Sequence, residues 1–321
     1  MIKEEPISFH PYLKTVIWGG NKICEYKGIP QKEANIGESW EISEVPGHES
    51  VVSDGNYKGL NLSDLISRFG VDLLGKRVYE RYHGKFPLLI KLIDACDNLS
   101  VQVHPDDELA KKRHDSLGKT EMWYIISSEK DAKIYSGLKE KLSPDEYVER
   151  VSRKTFAEAL AEHDSKPGDV FFLPAGRVHS IGAGNLLAEI QESSDITYRI
   201  YDYGRVDAQG KERELHTMEA KDAIDYNVYD NYKNPPIPDG QDDCELVNCN
   251  HFVARRIKLK GEKDFLHDST SFTVVMCIEG EADLVYKNGV KKLKRGKTVL
   301  LPATLTHFKL VGDATLLLAR S

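Results

Sequence analysis

The chain has 321 residues, 40% of them hydrophobic and 30% charged, and a formal net charge of −7. That is long enough for a large core, in two domains or one elaborated one, and the composition is that of an ordinary globular protein. The negative balance excludes broad binding to nucleic acid or an anionic membrane, so an anionic substrate must be held by a few local lysines or arginines.

The five cysteines (Cys24, Cys96, Cys244, Cys249 and Cys277) form no CxxC pair. Neither a disulfide framework nor a thiolate metal site is expected, and a reducing compartment fits better. The opening MIKEEPISFHPY lacks an apolar signal core, and no run reaches membrane-spanning length. The expected location is cytoplasmic.

Up to about Val52 the chain is polar and rich in turns. Within it, Glu38, Trp40, Ile42 and Glu44 alternate with Ser39, Glu41 and Ser43, which predicts a strand. A helical portion is expected over about 60–83, with Ser63 capping DLISRF, Gly70 ending it, and VDLLGKRVYERY forming a second helix. FPLLIKLIDA then reads as a buried strand carrying one charge, Lys91, which either snorkels or faces a polar cavity.

LSVQVH predicts a strand that points Ser100, Gln102 and His104 one way and Val101 and Val103 the other. Pro105 ends it, PDDELAKKR follows as a short helix, and EMWYIIS opens a new strand with Glu121. AKIYSG is a further strand. SPDEYVERVSRKTFAEALAEHD predicts a helical insertion over about 143–163, capped by Ser143 with Pro144 at its first position. Strands resume at DVFFLPAGRVHSIG, LLAEIQES and ITYRIYDYG. A helix around TMEAKDAID leads to NYKNPPIPDG, the best linker candidate, and strands and turns fill the rest.

Two segments align without gaps: KPGDVFFLPAGRVH (166–179) and KRGKTVLLPATLTH (294–307). They predict two related β units, each an antiparallel barrel or sandwich. The spacing of Gly168, Pro174, Gly176 and His179 resembles the second motif of cupin barrels, whose histidine binds a metal, although Ala183 stands where that motif usually has Asn. The expected fold is therefore mainly β with inserted helices: two cupin-like antiparallel β-barrels of jelly-roll type and a small helical portion. Residues 1–235 form the catalytic domain and 236–321 a metal-free one, in which His307 is structural or vestigial.

An amide oxygen, two imidazoles and a carboxylate at strand ends make a plausible divalent-metal site from Gln102, His104, Glu121 and His179. These ligand types suit zinc, iron, manganese or cobalt.

FPLLIKLIDACDNLSVQVHPDD, GKTEMWYII, LPAGRVHSIG and EIQESSDITYRIYDYG, in this order, resemble the type I mannose-6-phosphate isomerases in their short bacterial form. Longer eukaryotic members read K-P-E where this chain has Lys119-Thr120-Glu121. The resemblance implies one zinc ion per chain, held by Gln102, His104, Glu121 and His179. It implies catalytic roles for Arg199, Glu189 and Lys119, with Glu189 or Lys119 as base, and substrate binding by Ser100 and Lys91. The implied substrate is a small phosphorylated sugar, isomerised through a cis-enediol. Two rivals share the scaffold: another cupin enzyme, such as a dioxygenase or sugar epimerase, and a non-catalytic sugar-phosphate-binding module.

Overall fold

The computed structural model describes residues 1–206 and 210–321. Its strands form three antiparallel arrays. A six-stranded sheet runs in the order Val170–Leu173, Glu121–Ser128, Asn185–Glu192, Leu88–Ala95, Tyr12–Gly20, Ile36–Ile42. A five-stranded sheet has the order Tyr198–Tyr201, Val101–Val103, His179–Ile181, Lys133–Leu138, Leu160–Asp164. An eight-stranded sheet contains the C-terminal strands, and Ile7–His10 joins it by pairing with Thr298–Leu301. Among the described residues no sheet closes on itself, so the fold is mainly β but its sheets are open rather than closed barrels.

The six-stranded sheet lies in the middle, and its strands Leu88–Ala95 and Asn185–Glu192 are buried on both faces. Period-two alternation explains how one strand serves two cores. Leu88, Ile90 and Leu92 pack with Met122, Ile190, Phe272, Met276 and Leu317 toward the eight-stranded sheet. Ile93 and Ala95 point the other way and meet Trp123, Phe171, Leu187, Ile134 and Ile181 between the six-stranded and five-stranded sheets. Lys91 has the parity of the second set. The far side of the five-stranded sheet, through Val101, Val103, Tyr198 and Ile200, packs on Tyr147, Phe156 and Ala220 of the helical segments.

Several local expectations change. After a short helix, Lys22–Lys27, the helix Leu62–Leu74 is capped by Asn61 rather than Ser63, in a capping box with Asp64. Gly70 kinks it instead of ending it, at φ 39°, and the true break comes at Gly75, φ 84°. The insertion at 143–163 is helical only over Pro144–Ser152. A short 3-10 turn, Phe156–Ala159, follows, and Leu160–Asp164 is a strand paired with Lys133–Leu138. A helix-like composition is overridden there by an open sheet edge.

The Pro-rich stretch is docked rather than free. Tyr232 donates to the Leu138 carbonyl at 2.8 Å, and Asn234 bonds to Val170 and Phe172. The two repeated segments do share a plan: Val170–Leu173 and Thr298–Leu301 each lead through a turn to a histidine that begins a strand. His179 is buried, whereas the His307 side chain is 67% exposed beside Asp264. None of the described helices is long and apolar enough to cross a membrane.

Candidate metal centre and active site

Two rows of directly opposed residues face each other across the gap between the five-stranded and six-stranded sheets. On the five-stranded sheet the row reads Arg199, Gln102, His179, Ser136. On the six-stranded sheet it reads Trp40, Lys91, Glu189, Trp123, Phe171. Directly opposed residues of an antiparallel pair share a face. Since Tyr198, Ile200, Val101 and Val103 all enter the outer core, Arg199 and Gln102 point inward. The Trp123 and His179 rings meet edge to face, 5.3 Å between centroids, and tie the two rows together.

His104, Glu121 and His179 converge so that one donor atom of each lies within 4.8 Å of the others. His179 Nε2 is 3.2 Å from Glu121 Oε1 and 3.3 Å from Gln102 Nε2, and His104 Nε2 is 3.6 Å from Glu121 Oε2. Each imidazole has Nδ1 against a backbone carbonyl, Ile196 at 2.9 Å and Arg177 at 2.8 Å. A carbonyl can only accept, so Nδ1 carries the proton and Nε2 turns its lone pair into the centre. Burial, reinforced for both by the nearby Lys119 ammonium, pushes His104 well below the ordinary imidazole range and His179 down to about 3. Both rings are neutral at pH 7, as metal ligands must be.

Glu121 is fully buried, and neither of its carboxylate oxygens accepts a hydrogen bond from the described residues. Lys119 Nζ stands 3.2 Å from Oε2 as an ion pair, and 3.0 Å from His104 Nε2. Burial outweighs this lysine and raises the Glu121 carboxyl. A buried carboxylate paired with Lys119, its oxygens turned toward two neutral imidazoles, can take up a further cation. The donor set, two imidazole nitrogens and a carboxylate with no thiolate, fits a divalent transition metal.

Beside this cage lies a buried ion pair. Lys91 Nζ is 2.9 Å from Glu189 Oε2, 2.6 Å from Gln191 Oε1 and 3.8 Å from Glu38 Oε2. Glu189 Oε1 accepts from the Trp123 indole at 2.8 Å, and Glu38 does the same for Trp40 at 2.7 Å. Burial alone would raise Glu189, but Lys91, Lys119 and the indole hold it ionised. The same carboxylates hold the buried Lys91 ammonium charged.

Of the residues expected from the sequence, Gln102, His104, Glu121, His179, Lys119, Lys91 and Glu189 are linked by the contacts above. Arg199 joins through its register with Gln102. Its Nη1 donates to the Glu214 carbonyl at 2.9 Å and its Nε is buried without a partner. Ser100 is buried just before its strand. Leu99 and Val101 enter different cores, so alternation does not carry through Ser100 to the His104 face. Glu38, Trp40, Trp123, Gln191 and Ser136 were not singled out in advance. Glu38 and Trp40 share parity in ESWEI, and Gln191 lies two residues after Glu189. These signals were present but had no partner in the local sequence.

Residues 7–152 match the family model "Phosphomannose isomerase type I, catalytic domain", and residues 242–321 match "Mannose-6-phosphate isomerase, cupin domain". The chain is 37% identical over 322 residues to the mannose-6-phosphate isomerase ManA of Bacillus subtilis (strain 168), covering 97% of each. It is 32% identical over 318 residues to the mannose-6-phosphate isomerase of Streptococcus mutans, covering 99% of this chain and 98% of the relative. The crystal structure of the mannose 6-phosphate isomerase from Bacillus subtilis superposes with a TM-score of 0.89 at 33% identity, over 98% of this chain and 99% of that one. Family models that together span most of the chain, and relatives matched over nearly its whole length, place it in the type I mannose-6-phosphate isomerase family.

Proposed function

We propose that the chain interconverts mannose 6-phosphate and fructose 6-phosphate as a zinc-dependent aldose–ketose isomerase, moving a proton between C1 and C2 through a cis-enediol. The observation that carries this reading is the convergence of a buried donor set with a buried Lys91–Glu189 ion pair between the same two sheets. Zinc held by Gln102, His104, Glu121 and His179 would polarise the sugar carbonyl.

The chain's own groups divide the remaining work. Arg199 carries a permanent charge and a planar fork suited to oxygens that gain negative charge in the transition state. Glu189 is the proton acceptor in this reading. While Lys91 is bound to it, the carboxylate is a weak base. A phosphate that draws the ammonium toward itself, with Ser100 beside it, raises the basicity of Glu189 and couples binding to proton transfer. Lys119, between His104 and Glu121, is the second candidate base. We further propose cytoplasmic residence, supported by five free thiols. The division into a catalytic part, 1–235, and a metal-free part, 236–321, is also proposed. It is supported by the exposure of His307 and qualified by the first strand's pairing with Thr298–Leu301.

A coupled assay on mannose 6-phosphate tests the reading. Turnover is expected before chelation, lost after it, and restored by zinc. Binding of the sugar phosphate without aldose–ketose conversion would overturn it.

A further inference from the structure

We propose that His251, contributed by the C-terminal unit, is a positioning residue that clamps the 118–121 loop, and through it Lys119 and Glu121, in the geometry of the metal centre. The inference rests on the functional reading above and extends it to the part of the chain that lies outside the cage.

Alternation along Asn185–Glu192 sends Leu187, Glu189 and Gln191 toward the site and Ala188 and Ile190 toward the eight-stranded sheet. Glu192 therefore falls on an apolar face, opposite Leu88, and is 1% exposed. A carboxylate in that position needs partners. One is the loop: Glu192 Oε2 accepts from Thr120 N at 2.8 Å, and Glu192 N donates to the Thr120 carbonyl at 3.0 Å. Thr120 lies between Lys119 and Glu121. The other is His251, whose Nδ1 is 2.9 Å from Glu192 Oε1. His251 sits in the turn that joins Asp243–Asn248 to Val253–Leu266.

A second acid doubles the clamp. Asp107, in the first turn of Asp107–His114, accepts from Gly118 N at 2.8 Å and lies 3.9 Å from the same His251 nitrogen. Two of the loop's backbone amides, Gly118 and Thr120, thus end on carboxylates that share one imidazole, while the amide between them, Lys119, donates to the Pro105 carbonyl at 3.1 Å. Removing His251 leaves two acids close together, one of them buried, with no cation between them, and the strain falls on the loop they hold.

The test uses full-length, zinc-loaded chain. Zinc release into a chromogenic chelator and steady-state kinetics are measured for wild type, His251→Ala and His251→Gln. The clamp predicts that His251→Ala releases zinc about tenfold faster. It also predicts kcat lowered about tenfold with KM within about twofold, and substantial recovery in the Gln variant, which keeps a donor. If both variants lose thermal stability but folded chain releases zinc at the wild-type rate, His251 is merely structural and the proposal fails. It fails equally if His251→Ala matches wild type in release and kcat. Absence of isomerase turnover in wild type would defeat the functional reading alone, because the zinc-release comparison needs no turnover.

Discussion

Arg199 and Gln102 stand directly opposite each other across the antiparallel pair of Tyr198–Tyr201 with Val101–Val103. The register puts a permanent cation on the same inward face as a donor of the metal cage, while its neighbours Tyr198 and Ile200 are spent on the outer core. Among the described residues the Arg199 side chain makes one hydrogen bond, to the Glu214 carbonyl, so little of the described fold depends on its charge. Arg199→Ala should lower kcat by about 10²–10³-fold. Metal content and the far-ultraviolet circular dichroism should be unchanged. Near-normal turnover would remove Arg199 from the catalytic set.

Lys91 and Glu189 are both buried, and each is costly without the other. Lys91→Met should destabilise the chain by about 3–5 kcal/mol, because Glu189 would be left buried and uncompensated. Lys91→Met with Glu189→Gln should lose less than the sum of the two single variants, as read from urea unfolding. Additive losses would show that the pair is not an energetic unit.

Gly118 lies flat against the start of the Asp107–His114 helix, where an added Cβ would stand 2.7 Å from the Asp106 carbonyl carbon and the Asp107 nitrogen. Backbone atoms cannot swing aside as a side-chain tip can. Gly118→Ala should therefore displace the loop carrying Lys119 and Glu121, weakening metal binding by at least about tenfold with a small change in overall stability. Wild-type metal affinity by competition with a chelator would contradict this.

His267 in the C-terminal unit is held neutral. Burial, reinforced by Arg320, pushes it down to about 4, and its ring packs edge-on to Phe308 with Nδ1 3.0 Å from Thr273 Oγ1. Between about 4 and the ordinary 6.5 the unfolded chain binds more protons than the folded one. Stability from this group is therefore complete above pH 6.5 and is lost as pH falls toward 4. Melting temperatures across that window should fall less steeply in His267→Gln than in wild type. Parallel curves would show that His267 does not set the slope.

The convergence of His104, Glu121 and His179 had local signals: His104 follows directly on a strand, Glu121 begins one, and His179 ends a repeated segment. Lys91, too, announced itself as one charge in an apolar run. Its partners did not, because Glu38, Glu189 and Gln191 come from other strands and only the register joins them. For the same reason FAEALAEHD misled: its residues suit a helix, but the strand Lys133–Leu138 offers Leu160–Asp164 an edge that no local pattern records. Whether the expected cupin-like barrels close is likewise not legible locally. Alternation shows that strands have two faces, not how many pair or whether the last returns to the first.

The central claim is that turnover requires a metal in the cage of Gln102, His104, Glu121 and His179. The most direct measurement is mannose 6-phosphate isomerisation in chelator-stripped protein, titrated with zinc while bound metal is counted per chain. The account predicts negligible turnover in the stripped protein and activity that rises in proportion to bound zinc, saturating at about one ion per chain. Full turnover in stripped protein would contradict it.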